Sequence, residues 1–179
     1  MPVRFTIDGF KSNFRDGHRA NLWYFLPNFP ADVIVGDMNN SRSVYLVKTT
    51  SMPSTTLEEV LLNWQGYDFP IAGKHTYAEL PVTFNVDHDA LIRQNFENWI
   101  NKIHNPVTNE YALLSDYMLD QRIQLLGYDG DPVLEFTLHD CWPKDIAMAS
   151  LDYAATEVTM FDVTFRYSYH TVSDRPTGQ

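Results

Sequence analysis

Alternation of apolar and polar residues predicts strands at both ends of the chain. In residues 78–86, Leu80, Val82, Phe84 and Val86 occupy alternate positions, as in a strand with one buried face. A second alternating run, residues 157–172, carries its apolar and aromatic side chains on one face: Phe161, Val163, Phe165, Tyr167 and Tyr169. We predict that both segments are strands against a shared core.

Further strands follow from composition and turn signals. Residues 21–30 begin a strand that the prolines at 27 and 30 stop. Residues 44–53 are rich in β-branched and aromatic side chains and end at Pro53, so they are a further predicted strand. Residues 117–127 and 132–142 flank the sequence YDGD, a hairpin turn signal. We expect the strand at 157–172 to lie beside this hairpin.

Residues 56–75 carry apolar side chains on both predicted faces. Gly66 interrupts the pattern, so the segment is either two strands or one long strand kinked at that glycine. A strand that is apolar on both faces is either deeply buried or covered by a neighbouring subunit. The candidate subunit-interface residues here are Trp64, Tyr67, Phe69 and Ile71.

One segment, about residues 88–104, has the periodicity of an amphipathic helix. Ile92, Phe96, Trp99, Ile100 and Ile103 recur at helical spacings and share one face. Asp87 is a suitable N-cap, and an Asn-Pro pair ends the segment. The residues that we expect to pack in the core are Ile92, Phe96, Trp99, Ile100, Trp142, Phe161, Val163 and Phe165.

These segments amount to about seven strands and one helix. They predict a mainly β protein, an antiparallel barrel or sandwich with one flanking amphipathic helix. A length of 179 residues suits one domain. We expect a polar, irregular N-terminal arm at 1–20, one β-barrel domain at 21–172 and a flexible tail at 173–179.

The charge is acidic and unevenly placed. The chain carries 23 acidic and 13 basic side chains, a net charge of −10. Residues 1–50 have 4 acidic and 6 basic groups, and residues 51–179 have 19 and 7. An acidic body repels phosphate, which argues against a surface that grips nucleic acid but not against one that DNA passes.

Cys141, the single cysteine, lies beside Asp140 and near His139, a combination that suggests nucleophilic catalysis. A reactive thiol needs a lowered pKa and a base that faces it. In a regular strand Cys141 and His139 share a face, while Asp140 points away and cannot orient the histidine. We therefore interpret Cys141 as a buried thiol at the end of a core strand.

Other catalytic or metal-binding motifs are weak. The acidic runs at 87–89 and 129–131 are explained by a helix start and a hairpin turn, and they lack the ligand spacing of a calcium loop. The sequence contains no glycine-rich phosphate loop, GxSxG or HExxH. We predict no catalytic residue, metal site or cofactor.

No apolar run is long enough to span a bilayer, and the N-terminus lacks a secretory signal core, so we expect folding in a cytoplasm.

The order of these signals resembles the tail tube proteins of contractile-tailed bacteriophages over about residues 20–170. Its most specific parts are the strand end KTTSMP at 48–53, the helix with NWI at 98–100, and LHDCWPKDI at 138–146 followed by TMFDVTFRYSY. The loops at 27–43 and 105–115 are longer than a minimal tube subunit needs.

The resemblance implies a structural virion protein with no catalytic residues. Such subunits form hexameric rings that stack into a hollow tube inside a contractile sheath, and the tube conducts the genome into the host. The implied partners are further copies of the chain, the sheath, baseplate and tail-terminator proteins, and tape measure protein and double-stranded DNA in the lumen. The implied location is the virion tail, assembled in the host cytoplasm without a membrane anchor.

Three features of the sequence agree with this resemblance. An acidic inner wall would let DNA slide, and a neighbouring subunit would cover the segment 56–73. The basic arm, through Arg15 and Arg19, would dock on an acidic neighbour in the next ring.

Three other interpretations stay open. One is a baseplate tube-initiator or a tail-terminator that forms a single ring in the same tail. Another is the tube protein of type VI secretion, whose fold is related. The third is a cysteine-dependent hydrolase built on Cys141, which the expected burial of the thiol disfavours.

Overall fold

A computed structural model describes residues 6–14, 17–147 and 149–174. The helices are α1 (Ile7–Phe14), α2 (Asn40–Ser43), α3 (Leu91–Ile103) and α4 (Leu114–Tyr117). The strands are β1 (Trp23–Leu26), β2 (Val47–Thr50), β3 (Thr55–Trp64), β4 (Tyr67–Tyr77), β5 (Leu80–Asn85), β6 (His104–Asn105), β7 (Glu110–Tyr111), β8 (Leu119–Leu126), β9 (Pro132–Ile146), β10 (Met160–Arg166) and β11 (Tyr169–Asp174).

Seven of the strands form one antiparallel sheet that folds over a core. Their order is β1-β8-β9-β10-β5-β2, and β11 also pairs with β9. The first part of β9 pairs with β8 and β11, and its last part, Trp142–Ile146, pairs with β10. Strand β9 therefore connects two halves of the sheet, and the predicted mainly β fold of about seven strands is confirmed.

A bulge at Asp140 marks the place where β9 changes partner. Asp140 has φ of 55°, a left-handed conformation that Asp tolerates better than most residues. Buried and less buried side chains alternate along β9 up to Leu138. The alternation resumes at Cys141 and Pro143, shifted by one residue, so the bulge changes which residues face the core. The carboxylate of Asp120 holds the bulge, since its Oδ1 accepts a hydrogen bond of 3.2 Å from the Asp140 amide.

Helix α3 closes the core with a set of packed rings. The Phe96 ring lies 5.0 Å from that of Phe84 and 5.9 Å from that of Phe165. Trp99 Nε1 donates a hydrogen bond of 2.9 Å to the carbonyl oxygen of Tyr117. Of the residues expected in the core, six are buried: Ile92, Phe96, Trp99, Phe161, Val163 and Phe165. Ile100 and Trp142 are partly buried.

The start of α3 differs from the prediction. The helix begins at Leu91, three residues after the predicted start at 88. Asp87 still serves the helix, because its Oδ1 accepts a hydrogen bond of 3.1 Å from the Ile92 amide. A turn through Ala90, whose φ is 53°, carries the chain from Asp87 to the helix.

The described residues near both ends of the chain differ from the prediction. The arm predicted as irregular contains α1, and the final strand is divided into β10 and β11 at Tyr167–Ser168. Ser173 and Asp174, placed in the predicted flexible tail, belong to β11. The predicted loops also overlap short elements: α2 lies in 27–43, and β7 with parts of β6 and α4 lies in 105–115. The division into arm, domain and tail stays a prediction.

Candidate functional site: an apolar face on a projecting hairpin

Strands β3 and β4 form a hairpin that is separate from the main sheet. They pair only with each other among the described strands. Gln65 and Gly66 connect them with φ of 48° and 85°, as in the two-residue type I′ turns that match strand twist. Of the two possibilities that the sequence left open, the segment is therefore two strands.

The hairpin register places six large apolar side chains on one face. Val60 lies opposite Ile71, Leu62 opposite Phe69 and Trp64 opposite Tyr67. Directly opposed residues point to the same side of a sheet, and alternate residues along each strand do too. We call these six residues, Val60, Leu62, Trp64, Tyr67, Phe69 and Ile71, the apolar hairpin face.

The apolar hairpin face is open to solvent in the single chain. Its side chains are between 38% (Ile71) and 79% (Tyr67) exposed. This exposure excludes the first of the two expectations, that the segment is deeply buried in its own subunit. A contiguous exposed patch of this kind marks an interaction surface.

The opposite face of the hairpin is mixed. Leu61 and Pro70 are opposed there, so this face has apolar groups as expected. Beside them, Asn63 Nδ2 donates a hydrogen bond of 3.0 Å to Asp68 Oδ1. The apolar hairpin face is therefore the stronger candidate for a buried contact.

The base of the hairpin is fixed to the sheet by Tyr77. Its carbonyl oxygen accepts a hydrogen bond of 3.2 Å from Arg166 Nη1. Its ring lies 6.1 Å from that of Tyr167 and 5.4 Å from that of His170. The hairpin thus leaves the domain at a fixed point, while its tip around Trp64 and Tyr67 extends away from the core.

His170 is set among aromatic rings at this base. The rings of Tyr77, Phe136 and Tyr167 all lie within 6.1 Å of it. Its Nε2 is 3.5 Å from the hydroxyl of Thr55. Desolvation lowers the pKa of His170 below its ordinary value, because these surroundings disfavour the charged imidazolium.

We expect His170 to make the fold less stable as the pH falls. The unfolded chain binds the proton at the ordinary histidine pKa, near 6.5, and the folded chain binds it only at lower pH. The contribution of neutral His170 to the free energy of unfolding is therefore fully present above about pH 7 and is lost as the pH falls below the ordinary histidine pKa. Urea unfolding at about pH 7.5 and about pH 5.5 should show a smaller pH dependence for His170→Phe than for the parent. Equal pH dependence in the two proteins would contradict this assignment.

The Cys141 cluster does not have the geometry of a nucleophile. Cys141 is fully buried, and burial, followed by the nearby Asp120 carboxylate, raises the pKa of its thiol. The expectation that Cys141 and His139 share a face is wrong, because the bulge at Asp140 changes the phase of the strand between them.

The partners of His139 lie on the outer side of the sheet. Its Nδ1 is 2.9 Å from Asp120 Oδ2, and its Nε2 is 2.9 Å from the Thr171 hydroxyl. The ring also stacks on Tyr169 with centroids 4.5 Å apart. These contacts tie β8, β9 and β11 together and leave the thiol without a base that faces it.

Cys141 should resist thiol reagents in the native protein. A buried thiol with a raised pKa has little thiolate to react. Ellman's reagent at about pH 8 is expected to label the chain in denaturant and to leave the native chain unlabelled over hours. Stoichiometric labelling of the native protein within minutes would reopen the hydrolase interpretation.

The remaining site predictions have separate outcomes. Arg15 lies outside the described residues. Arg19 lies over the Tyr128 ring, 5.6 Å from its centroid. In the described residues, no group of three or more His, Cys, Asp or Glu side chains is placed to hold a metal ion. None of the described helices is long and apolar enough to cross a membrane.

The family model for the phage tail tube protein matches residues 24–173, which include the hairpin and all but the first residue of β1 and the last residue of β11 in the seven-stranded sheet. The chain belongs to the phage tail tube protein family. The match begins inside β1 and ends one residue before the end of β11, so α1 lies outside it.

Three similar proteins represent different parts of such assemblies. The tail tube protein of Serratia phage KSP90 is 28% identical over 95% of this chain and 98% of that protein. The baseplate tail-tube junction protein gp54 of Enterobacteria phage T4 is 27% identical over 73% of this chain, but this covers only 41% of its own length. The tube-terminating cap of the anti-feeding prophage has the same fold, with a TM-score of 0.62, 13% identity and coverage of 97% of this chain and 95% of that chain.

Sequence reasoning identified the segment as apolar on both faces, but it left open whether the segment is one strand or two and did not give the arrangement of its faces. Val60 and Leu62 carry the same signal as Trp64, Tyr67, Phe69 and Ile71, yet only the register shows that all six share one side. The sequence signal for that register is the Gln65-Gly66 turn, whose two-residue length makes Trp64 and Tyr67 the first opposed pair.

Proposed function

We propose that this chain forms hexameric rings that stack into the inner tube of a contractile phage tail, the conduit for genome ejection. The observation that carries the proposal is the apolar hairpin face, open to solvent in a chain that belongs to the tail tube family. A structural role of this kind needs no catalytic residue, metal or cofactor.

The apolar hairpin face would pack against other copies of the same chain. Full burial of one large apolar side chain contributes roughly 1.5–3 kcal/mol, so six such residues provide a substantial driving force for association. An isolated two-stranded hairpin is marginally stable in water. A ring of identical subunits supplies every hairpin with a neighbour and leaves no face exposed.

The tube role fits the comparisons better than the baseplate role. The Serratia phage tail tube protein aligns with this chain over nearly the full length of both proteins. The T4 junction protein is more than twice as long as the part that aligns. The alternative is a tail-terminator that forms a single ring, because the anti-feeding prophage cap shares the fold over almost the whole chain.

The proposed location is the virion tail, and the proposed partners are those of the tube. They are the sheath around it, the baseplate and terminator at its ends, and tape measure protein and double-stranded DNA inside it. The net charge of −10 supports a lumen wall that repels phosphate. Contact between that wall and DNA would then be nonspecific and weak, so the genome would slide.

Negative-stain microscopy of the purified protein tests the proposal. Long hollow tubes are the expected result. Single six-fold rings would favour the terminator alternative, and a dispersed monomer at high concentration would contradict both.

A further inference from the structure

Helix α1 presents an exposed apolar face. Ile7, Phe10 and Phe14 are each more than half exposed, and their spacing places them on one side of the helix. The rings of Phe10 and Phe14 stack with centroids 5.1 Å apart. Lys11 borders this side. A helix of 8 residues is too short to be stable in water without packing, so its apolar face needs a partner.

The loop 150–158, between β9 and β10, exposes a second apolar surface, which is concave and acidic. Residues 150–160 surround an open cavity of about 600 Å³, a size that accommodates several side chains. Leu151, Tyr153 and Val158 are all exposed there. The charged residues of the loop are Asp152 and Glu157, and it has no lysine or arginine.

The arm that carries α1 is fixed to the turn before β9. The Tyr128 hydroxyl donates a hydrogen bond of 2.7 Å to the Gly17 carbonyl oxygen. The Arg19 guanidinium lies over the Tyr128 ring, and His18 Nε2 is 3.1 Å from the Leu126 carbonyl oxygen. These contacts hold the root of the arm at the end where β9 begins.

The loop is fixed at the opposite end of β9. Two backbone hydrogen bonds hold its ends. At one end the Ala147 amide donates to the Asp162 carbonyl oxygen at 2.8 Å, and at the other the Thr159 carbonyl oxygen accepts from the Val86 amide at 2.9 Å. Arg93 Nη1 also donates to the Ala147 carbonyl oxygen at 2.8 Å. Residues of the segment 150–158, between these anchors, line the cavity.

We propose that Ile7, Phe10 and Phe14 of one copy dock in the 150–158 cavity of a second copy in the adjacent ring. This rests on the proposed function, since it names the surfaces that join one ring to the next. Opposite charges favour the pairing, because residues 1–20 carry four basic and two acidic side chains and the loop carries two acidic ones. Such complementarity sets register and suppresses wrong pairings.

The positions of the two surfaces are suited to a stack of rings that grows along one axis. The root of the arm and the loop lie at opposite ends of a strand of 15 residues, which is roughly 50 Å along its path. No hydrogen bond, ion pair or ring contact joins them within the described part of the chain. A contact between two different surfaces is heterologous, and such contacts build open stacks when their rotation does not close.

Disulfide cross-linking tests the contact directly. A double variant, Phe10→Cys with Tyr153→Cys, is oxidised after assembly and run on a non-reducing gel. We expect a ladder of covalent oligomers that extends beyond six subunits, because each subunit would be linked to one above and one below. Each single variant is the matched control and should give no ladder, since the native Cys141 is buried.

The length of the ladder separates the possible outcomes. A ladder that ends at six subunits would place the contact within a ring, and no cross-linking would mean that α1 docks elsewhere; either result overturns the proposal. If the parent chain does not form rings, the proposed function fails, while covalent dimers and longer species would still support docking of α1 in the loop of a second copy.

A charge exchange provides an independent measurement. Lys11→Glu should still form six-fold rings but lose long tubes, and adding Asp152→Lys with Glu157→Lys should restore them. Val107→Ser, at an exposed position that belongs to neither surface, is the control and should form tubes as the parent does. Normal tubes from Lys11→Glu, or no rescue by the second pair of changes, would contradict the assignment of these two surfaces.

Discussion

A double variant with Leu62→Asp and Phe69→Asp is expected to fold normally and to remain monomeric at concentrations where the parent assembles. The two residues are directly opposed in the middle of the apolar hairpin face and are 50% and 63% exposed in the single chain. The substitutions therefore cost the monomer little. In an assembly they would bury two unpaired carboxylates, each at a cost of several kcal/mol.

Sedimentation velocity gives the oligomeric state, and circular dichroism reports the fold. The matched control carries Val107→Asp and Leu113→Asp, which change two exposed apolar residues outside the hairpin, 90% and 71% exposed. The control should assemble as the parent does. If the hairpin variant forms the same assemblies as the control, the apolar hairpin face is not the subunit interface.

Phe96→Ala is expected to lower the free energy of unfolding by about 3–5 kcal/mol. Phe96 is fully buried, and its ring contacts the rings of Phe29, Phe84, Trp99, Phe161 and Phe165. Removing the ring leaves a cavity between α3 and strands β5 and β10. A loss of this size is comparable to the total stability of many domains.

The measurement is urea unfolding in the monomeric Leu62→Asp/Phe69→Asp background, so that assembly does not add to the apparent stability. Phe10→Ala is the control, because an exposed phenylalanine on α1 should change the free energy of unfolding by no more than about 0.5 kcal/mol. A loss below about 1 kcal/mol for Phe96→Ala would mean that α3 does not close the core as described.

Local periodicity was sufficient for the elements that have one buried face. Leu80, Val82 and Phe84 alternate in β5 and are buried, since every second residue of a strand points to the same side. The helical spacing of Ile92, Phe96 and Trp99 is equally direct. In both elements the sequence pattern and the packing have the same period.

The bulge at Asp140 shows where local pattern fails. Nothing in the sequence around Cys141 marks a change of phase, because the bulge depends on the Asp120 carboxylate of the neighbouring strand. That contact joins residues 20 positions apart, so period-2 reasoning placed His139 on the wrong face. The division between β10 and β11 has a similar origin, since both segments pair with β9 but with different halves of it.

The arm is the opposite case, because its sequence does contain the signal of a helix. Ile7, Phe10 and Phe14 have the spacing of one helix face, but the charged residues between them favoured an irregular segment. A candidate interface at the hairpin could be named from sequence because both faces of the segment carry apolar side chains, and its role as a subunit interface stays a prediction. Its single-sided arrangement needed the register.

Cryo-electron microscopy of the assembled protein shows directly whether the apolar hairpin face is buried or exposed to solvent. We predict six-fold rings in which Val60, Leu62, Trp64, Tyr67, Phe69 and Ile71 are buried against an adjacent copy of the chain. A reconstruction in which these six side chains face solvent or the lumen would contradict the account.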